Sequence, residues 1–126
     1  MNNEEIKGKG AVGIAIAYYA MKGMVSVPLE PCEYNIIFDN GNVLQKIKVV
    51  SCSFKTEYGI YAASIRTSGG NQPNNKVKKF DQNECHIVFI VTSSLEIYEI
   101  PSKEIESSRQ ISLKKYEKYQ VKFMPS

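Results

Sequence analysis

Apolar residues run almost without a break from Ala11 to Met21, through Val12, Ile14, Ala15, Ile16, Ala17, Tyr18 and Ala20. A segment apolar nearly all round suits a helix that lies deep in a fold or is covered on two sides. The pattern predicts a helix over residues 9–22, closed by Lys22 and Gly23. Beyond Gly23 the period shortens. Met24-Val25-Ser26-Val27 predicts a short strand stopped by Pro28, and Tyr34 to Asp39 a second. Asn40-Gly41 is a strong hairpin signal, and Val43 to Phe54 reads as the long returning strand. Tyr58 to Arg66 predicts a fourth strand. Residues 67–83 are polar, with Gly69-Gly70-Asn71 and Pro73-Asn74-Asn75. A loop of about 17 residues is longer than compact domains usually hold without a functional reason.

Cys85 to Thr92 is nearly continuously apolar, which predicts a central strand buried on both faces. Ser93-Ser94 turns the chain into a strand from Glu96 to Ile100, stopped by Pro101. Ser102 is placed to N-cap a short helical turn. In the last twenty residues Ile111, Leu113, Tyr116, Tyr119, Val121 and Phe123 interleave with lysine, and helix and strand are both open there.

At 126 residues and 43% hydrophobic composition the chain can bury a core unaided, which excludes disorder over most of its length. The expectation is a single domain over 1–126, with a core at about 7–101 and a basic extension at 102–126. No apolar run approaches the roughly 18 residues that cross a bilayer, and Met1-Asn2-Asn3-Glu4-Glu5 is acidic where a secretory leader is basic. Cys32, Cys52 and Cys85 are odd in number and widely spaced, with His86 the lone histidine. That argues against zinc and against a disulfide framework, and for reduced cysteines in a cytoplasmic protein. His86 itself reads as an ordinary strand residue.

Charge is unevenly spread. Residues 1–63 balance; 64–81 carry Arg66, Lys76, Lys78 and Lys79 against Asp81; 82–106 are acidic; 107–126 carry Arg109, Lys114, Lys115, Lys118 and Lys122 against Glu117. Two basic stretches flank an acidic one, a pattern that permits nucleic-acid binding without establishing it.

Several segments, taken in order, carry a resemblance. Lys22-Gly23-Met24-Val25-Ser26-Val27-Pro28-Leu29 forms a helix end and first strand. Tyr34-Asn35-Ile36-Ile37-Phe38-Asp39-Asn40-Gly41 forms one hairpin arm, and Lys46-Ile47-Lys48-Val49-Val50-Ser51 the other. Ser64-Ile65-Arg66-Thr67-Ser68-Gly69-Gly70-Asn71-Gln72 and Ile97-Tyr98-Glu99-Ile100-Pro101 follow. Over roughly residues 7–101 this resembles the PD-(D/E)XK nuclease superfamily, in its small homing-endonuclease-like and restriction-endonuclease-like branch. The resemblance implies an α/β fold in which a mixed β-sheet with a long central hairpin packs against an N-terminal helix.

Active members of that superfamily place an aspartate on the first hairpin arm, a Glu or Gln and then a Lys two residues later on the second, and often an acid on the first helix. Strand residues i and i+2 share a face, so these groups meet, hold magnesium and orient a nucleophile. Mapped onto this chain, the aspartate position is Asn35, the Glu/Gln position Lys48, the lysine position Val50 and the helix acid Lys9. Every one departs from the pattern. Two like unit charges ~4 Å apart repel by roughly 4 kcal/mol at moderate dielectric, so a lysine in the pocket disfavours a dication. The expectation is a pseudoenzyme with no metal and no cofactor.

A cleft that has lost carboxylates and gained lysine favours phosphate. Lys46 and Lys48 share a face of the long strand, and Arg66 opens into Thr67, Ser68, Gly69, Gly70, Asn71 and Gln72, followed by Lys76, Lys78 and Lys79. Glycines let backbone N–H groups approach a phosphate, and the hydroxyls and amides add hydrogen bonds. These residues form the expected DNA-binding surface, for duplex or branched DNA, in a homodimer or higher oligomer of mobile-element or phage origin. Two alternatives stand beside it. One is a protein-interaction or inhibitory subunit acting on a partner protein or an active paralogue. The other is an active metal-dependent endonuclease with migrated residues, among Glu30, Glu33, Asp39, Lys48 and Glu57.

Overall fold

A computed structural model describes residues 3–30, 32–66 and 78–123. Helix α1 spans Asn3–Ala20, and the strands are β1 (Met24–Ser26), β2 (Ile36–Asp39), β3 (Leu44–Cys52), β4 (Ala62–Ser64), β5 (Ile87–Thr92), β6 (Ile97–Pro101), β7 (Gln110–Ser112) and β8 (Gln120–Val121). Six of them form one mixed sheet in the order β1-β2-β3-β5-β6-β8, and β4 and β7 form a separate two-stranded ribbon. The helix begins earlier than its apolar run and stops at Ala20. Gly23 follows because the chain turns there against the end of β2, where a Cβ would collide with the Asp39 carbonyl.

The β2–β3 hairpin forms at Asn40-Gly41 as the sequence indicates. The Asp39 side chain accepts the Gly41 N–H at 2.8 Å, and the Asn40 side chain accepts those of Asn42 and Val43. Gly41 takes φ +97°, which a residue with a Cβ rarely adopts. β3 then pairs in parallel with β5, from Ile47 opposite Ile87 to Cys52 opposite Thr92. A parallel pair needs a long crossover, and residues 53–86 supply it.

Alternate residues of β5 build two cores. Phe89 and Val91 face α1, where they meet Ala15, Tyr18, Tyr19, Ile36, Phe38 and Ile47. Val88 and Ile90 face the other way, into Tyr98, Ile100, Ile105, Leu113, Tyr116 and Ile65. This two-sided burial is why the segment reads as a continuous apolar run. Phe89 is fully buried among Tyr18 and Tyr19, with ring centroids 5.2 and 5.5 Å away, so truncating it to alanine costs about 3–5 kcal/mol. Tyr19 also donates to Glu99 Oε2 at 2.6 Å, tying α1 to β6. Burial, reinforced by the Glu99 charge, holds its hydroxyl far above the usual phenol range.

Two expectations change. Tyr58 to Arg66 does not form a full strand of the sheet; only Ala62–Ser64 is a strand, and its partner is β7. Ser102 caps nothing. It sits buried inside a 3₁₀ turn over Ser102–Glu104, and its hydroxyl donates to the carbonyls of Cys85 at 2.6 Å and Gln82 at 3.0 Å. The open C-terminal stretch contains both kinds of structure: β7, a 3₁₀ segment Leu113–Tyr119 that buries Leu113 and Tyr116, and β8 at the sheet edge. No helix of the described residues is long and apolar enough to cross a membrane.

Candidate nucleic-acid interface

The hairpin positions of the nuclease pattern lie on the sheet face away from α1. Asn35 precedes β2, and continuing the register sets it opposite Lys48. Its N–H donates to the Ile47 carbonyl at 2.8 Å, and its side-chain oxygen accepts the Val49 N–H at 2.7 Å. The amide therefore extends the ladder by one side-chain rung. Val50 is half-buried against the apolar core of that face.

Lys48 is only 5% exposed. Its ammonium lies 2.8 Å from Glu84 Oε1, with the two side chains 6% and 3% exposed, and 5.7 Å from the centre of the Phe80 ring. Glu84 also accepts the Asp81 N–H through Oε2 at 3.3 Å. A second pair lies beside the first: Lys78 Nζ is 2.7 Å from Glu33 Oε1, both side chains being about one-third exposed. The hydrogen bond from Lys78 holds the Glu33 carboxyl below its ordinary range, and the Lys48 charge adds to that. Reciprocally, Glu33 raises the Lys78 ammonium, with Glu84 and Asp81 adding to it. Two carboxylates and two ammoniums thus form one electrically balanced cluster. It ties the segment around Lys78, Phe80 and Glu84 to the hairpin.

Lys46, two residues before Lys48, remains exposed, with its ammonium 5.2 Å from the centre of the Tyr34 ring. Its backbone N–H donates to His86 Nδ1 at 2.8 Å, and its carbonyl accepts the His86 N–H at 2.8 Å. His86 is thus exposed just before β5 and not within it, with its Nδ1 turned to the Lys46 N–H. Arg66 and Lys79 are exposed. Thr67, Ser68, Gly69, Gly70, Asn71, Gln72 and Lys76 lie outside the described residues.

Lys9 is exposed on α1, next to Gly10. Gly10 lines a cleft of about 240 Å³ with Ile14, Ser51, Val91, Thr92 and Leu95, and no residue of the charged cluster lines it. The three cysteines carry free thiols. Among the described residues no three His, Cys, Asp or Glu side chains are grouped to hold a metal ion. At the hairpin positions, the Asn35 side-chain oxygen accepts the Val49 N–H and the Lys48 ammonium pairs with Glu84.

Sequence reading put Lys46 and Lys48 together as surface cations, whereas the structure separates them into one exposed and one paired. It did not find Glu84 as the partner of Lys48. Thirty-six residues part them, and only the parallel pairing of β3 with β5 brings Glu84, just before β5, beside Lys48.

No family model matches the chain, and no curated protein does. Among solved structures, the bacterial homing endonuclease I-Ssp6803I matches with a TM-score of 0.73, covering 89% of this chain and 78% of its own, at 23% identity. The chain therefore has a nuclease-like α/β fold, a mixed six-stranded sheet packed against an N-terminal helix. One expectation needs correction. The departures at Lys9, Asn35, Lys48 and Val50 led to the reading of a pseudoenzyme, but a solved structure with this fold is an endonuclease, an enzyme, and nothing in the geometry shows inactivity.

Proposed function

We propose that this protein binds DNA, through a basic surface on the hairpin side of a frame of the PD-(D/E)XK type. The observation that supports it most is the fold it shares with a homing endonuclease. The arrangement of cations adds to that. Lys46, Arg66 and Lys79 are exposed, and Arg66 and Lys79 flank the glycine-rich segment of residues 67–77. Exposed lysine and arginine bind phosphates by displacing condensed counterions, whatever the base sequence. Lys48 and Lys78 act differently. Their charges are balanced by Glu84 and Glu33, so they tie residues 78–84 to the hairpin, and the contacts to phosphate fall to the exposed cations.

The test is fluorescence anisotropy of the full chain with labelled duplex and four-way DNA, with EDTA present, at about 50 and 200 mM salt. Binding that weakens steeply with salt is the expected result, by ~10-fold or more for a few phosphate contacts over this range. Absence of binding to both DNAs at the lower salt overturns the reading.

A further inference from the structure

The β4–β7 ribbon has an outer face of an uncommon kind. The antiparallel register sets Ala62 opposite Ser112, Ala63 opposite Ile111 and Ser64 opposite Gln110. Directly opposed residues share a face. Ala63 and Ile111 therefore point inward, 1% and 4% exposed, and join the core beneath. The other face carries Ser64, Gln110 and Ser112, all exposed, and Ala62, which is 8% exposed. Pairing continues past the ribbon's end, where the Ile65 N–H donates to the Arg109 carbonyl at 3.0 Å and the Phe80 N–H to that of Ser108 at 2.8 Å. Continuing the register puts Arg109 opposite the inward-facing Ile65 and Arg66 opposite Ser108 on the outer face; Arg109 is exposed in the bend at the ribbon's end, and Lys79 lies on the adjoining segment.

Two basic stretches about forty residues apart in sequence are thus adjacent in space, at one end of a two-stranded ribbon. Next to them the outer face presents an amide and hydroxyls. Among the described residues the side chains of Gln110, Ser64, Ser108 and Ser112 have no hydrogen-bond partner within the protein. The major groove, about 12 Å wide, admits a two-stranded ribbon. Its base edges offer donors and acceptors that match an amide bidentately and a hydroxyl singly.

We propose that the outer face of the β4–β7 ribbon reads base edges in the major groove of duplex DNA through Gln110, Ser64 and Ser112, while Arg66 and Arg109 hold the phosphates at one end of the ribbon. This rests on the DNA-binding reading above and adds to it a base-reading surface and Arg109. Phosphate contacts set the register of the ribbon on the duplex; the amide and hydroxyls supply the preference for sequence.

The experiment is repeated selection of the full chain on a duplex pool with a randomised centre, for the parent, Gln110→Ala and Arg109→Gln. The parent enriches a motif. Gln110→Ala relaxes one or two positions of it and leaves affinity for an unrelated duplex within about twofold, since a bidentate base contact discriminates between bases and is not made at an unmatched site. Arg109→Gln weakens binding to all duplexes alike and lowers the salt slope by about 0.9. As a charge control, Lys22→Glu, at the end of α1 on the opposite face of the sheet, leaves the motif unchanged. If the parent binds DNA but enriches no motif, or if Gln110→Ala and the parent enrich the same motif, the ribbon does not read bases. If the parent binds no DNA at all, the DNA-binding reading itself fails, and this inference with it.

Discussion

Lys48 and Glu84 form an ion pair 2.8 Å long with almost no solvent on either side chain. Taking two charges out of water costs several kcal/mol per ion, and their attraction offsets this only while both remain. Lys48→Met alone or Glu84→Gln alone should therefore destabilise the fold by about 3–5 kcal/mol. The double variant Lys48→Met with Glu84→Leu should recover most of that loss. Urea unfolding of the three variants and the parent checks this. Additive losses would show that the two side chains act separately.

The Glu33–Lys78 pair carries a pH dependence of known sign. Lys78 depresses the Glu33 carboxyl, so the contribution is fully present above the ordinary glutamate range and is lost as pH falls through the lower folded value. At the alkaline end Lys78 is raised, so its contribution holds below the ordinary lysine range and disappears as pH rises through the higher folded value. Because a third of each side chain meets water, screening keeps the pair to about 0–1 kcal/mol. Lys78→Ala should move the Glu33 titration, followed by NMR of its side-chain carboxyl, back up towards ordinary glutamate. A titration that stays put would assign the depression to other groups.

Thiol chemistry separates the cysteines. Burial, with Glu84 next to it, pushes the Cys85 thiol up to about 12. Burial also raises Cys52, while Cys32 is half-exposed. A thiolate is the reacting species, so an alkylating reagent at mildly alkaline pH should label Cys32 in the native protein and all three in denaturant. Mass spectrometry of digested peptides reads the sites, and rapid native labelling of Cys85 would contradict the packing around β5.

The elements legible in the sequence are those whose cause is local. Ala11 to Met21 marks the helix, Asn40-Gly41 the hairpin and Cys85 to Thr92 the doubly buried strand. What escaped depends on partners far along the chain. Tyr58 to Arg66 has strand composition throughout, yet only Ala62–Ser64 finds a partner, and that partner is β7. Ser102 has the chemistry of a cap, but the chain passes close enough to the Cys85 carbonyl to take its hydroxyl inward. The same limit applies at the site. The spacing of Lys46 and Lys48 puts both on one face, and only Phe80 and Glu84, brought in by the crossover, decide that one is covered and the other is not.

The most direct test of the DNA-binding account is the salt dependence of duplex affinity for the parent and two charge variants. Arg66→Gln removes an exposed cation and should weaken binding while lowering the slope of log affinity against log salt by about 0.9. Lys48→Met paired with Glu84→Leu removes two balanced charges and should leave that slope unchanged. The account is contradicted if the duplex does not bind the parent, or if the balanced double variant changes the slope as much as Arg66→Gln does.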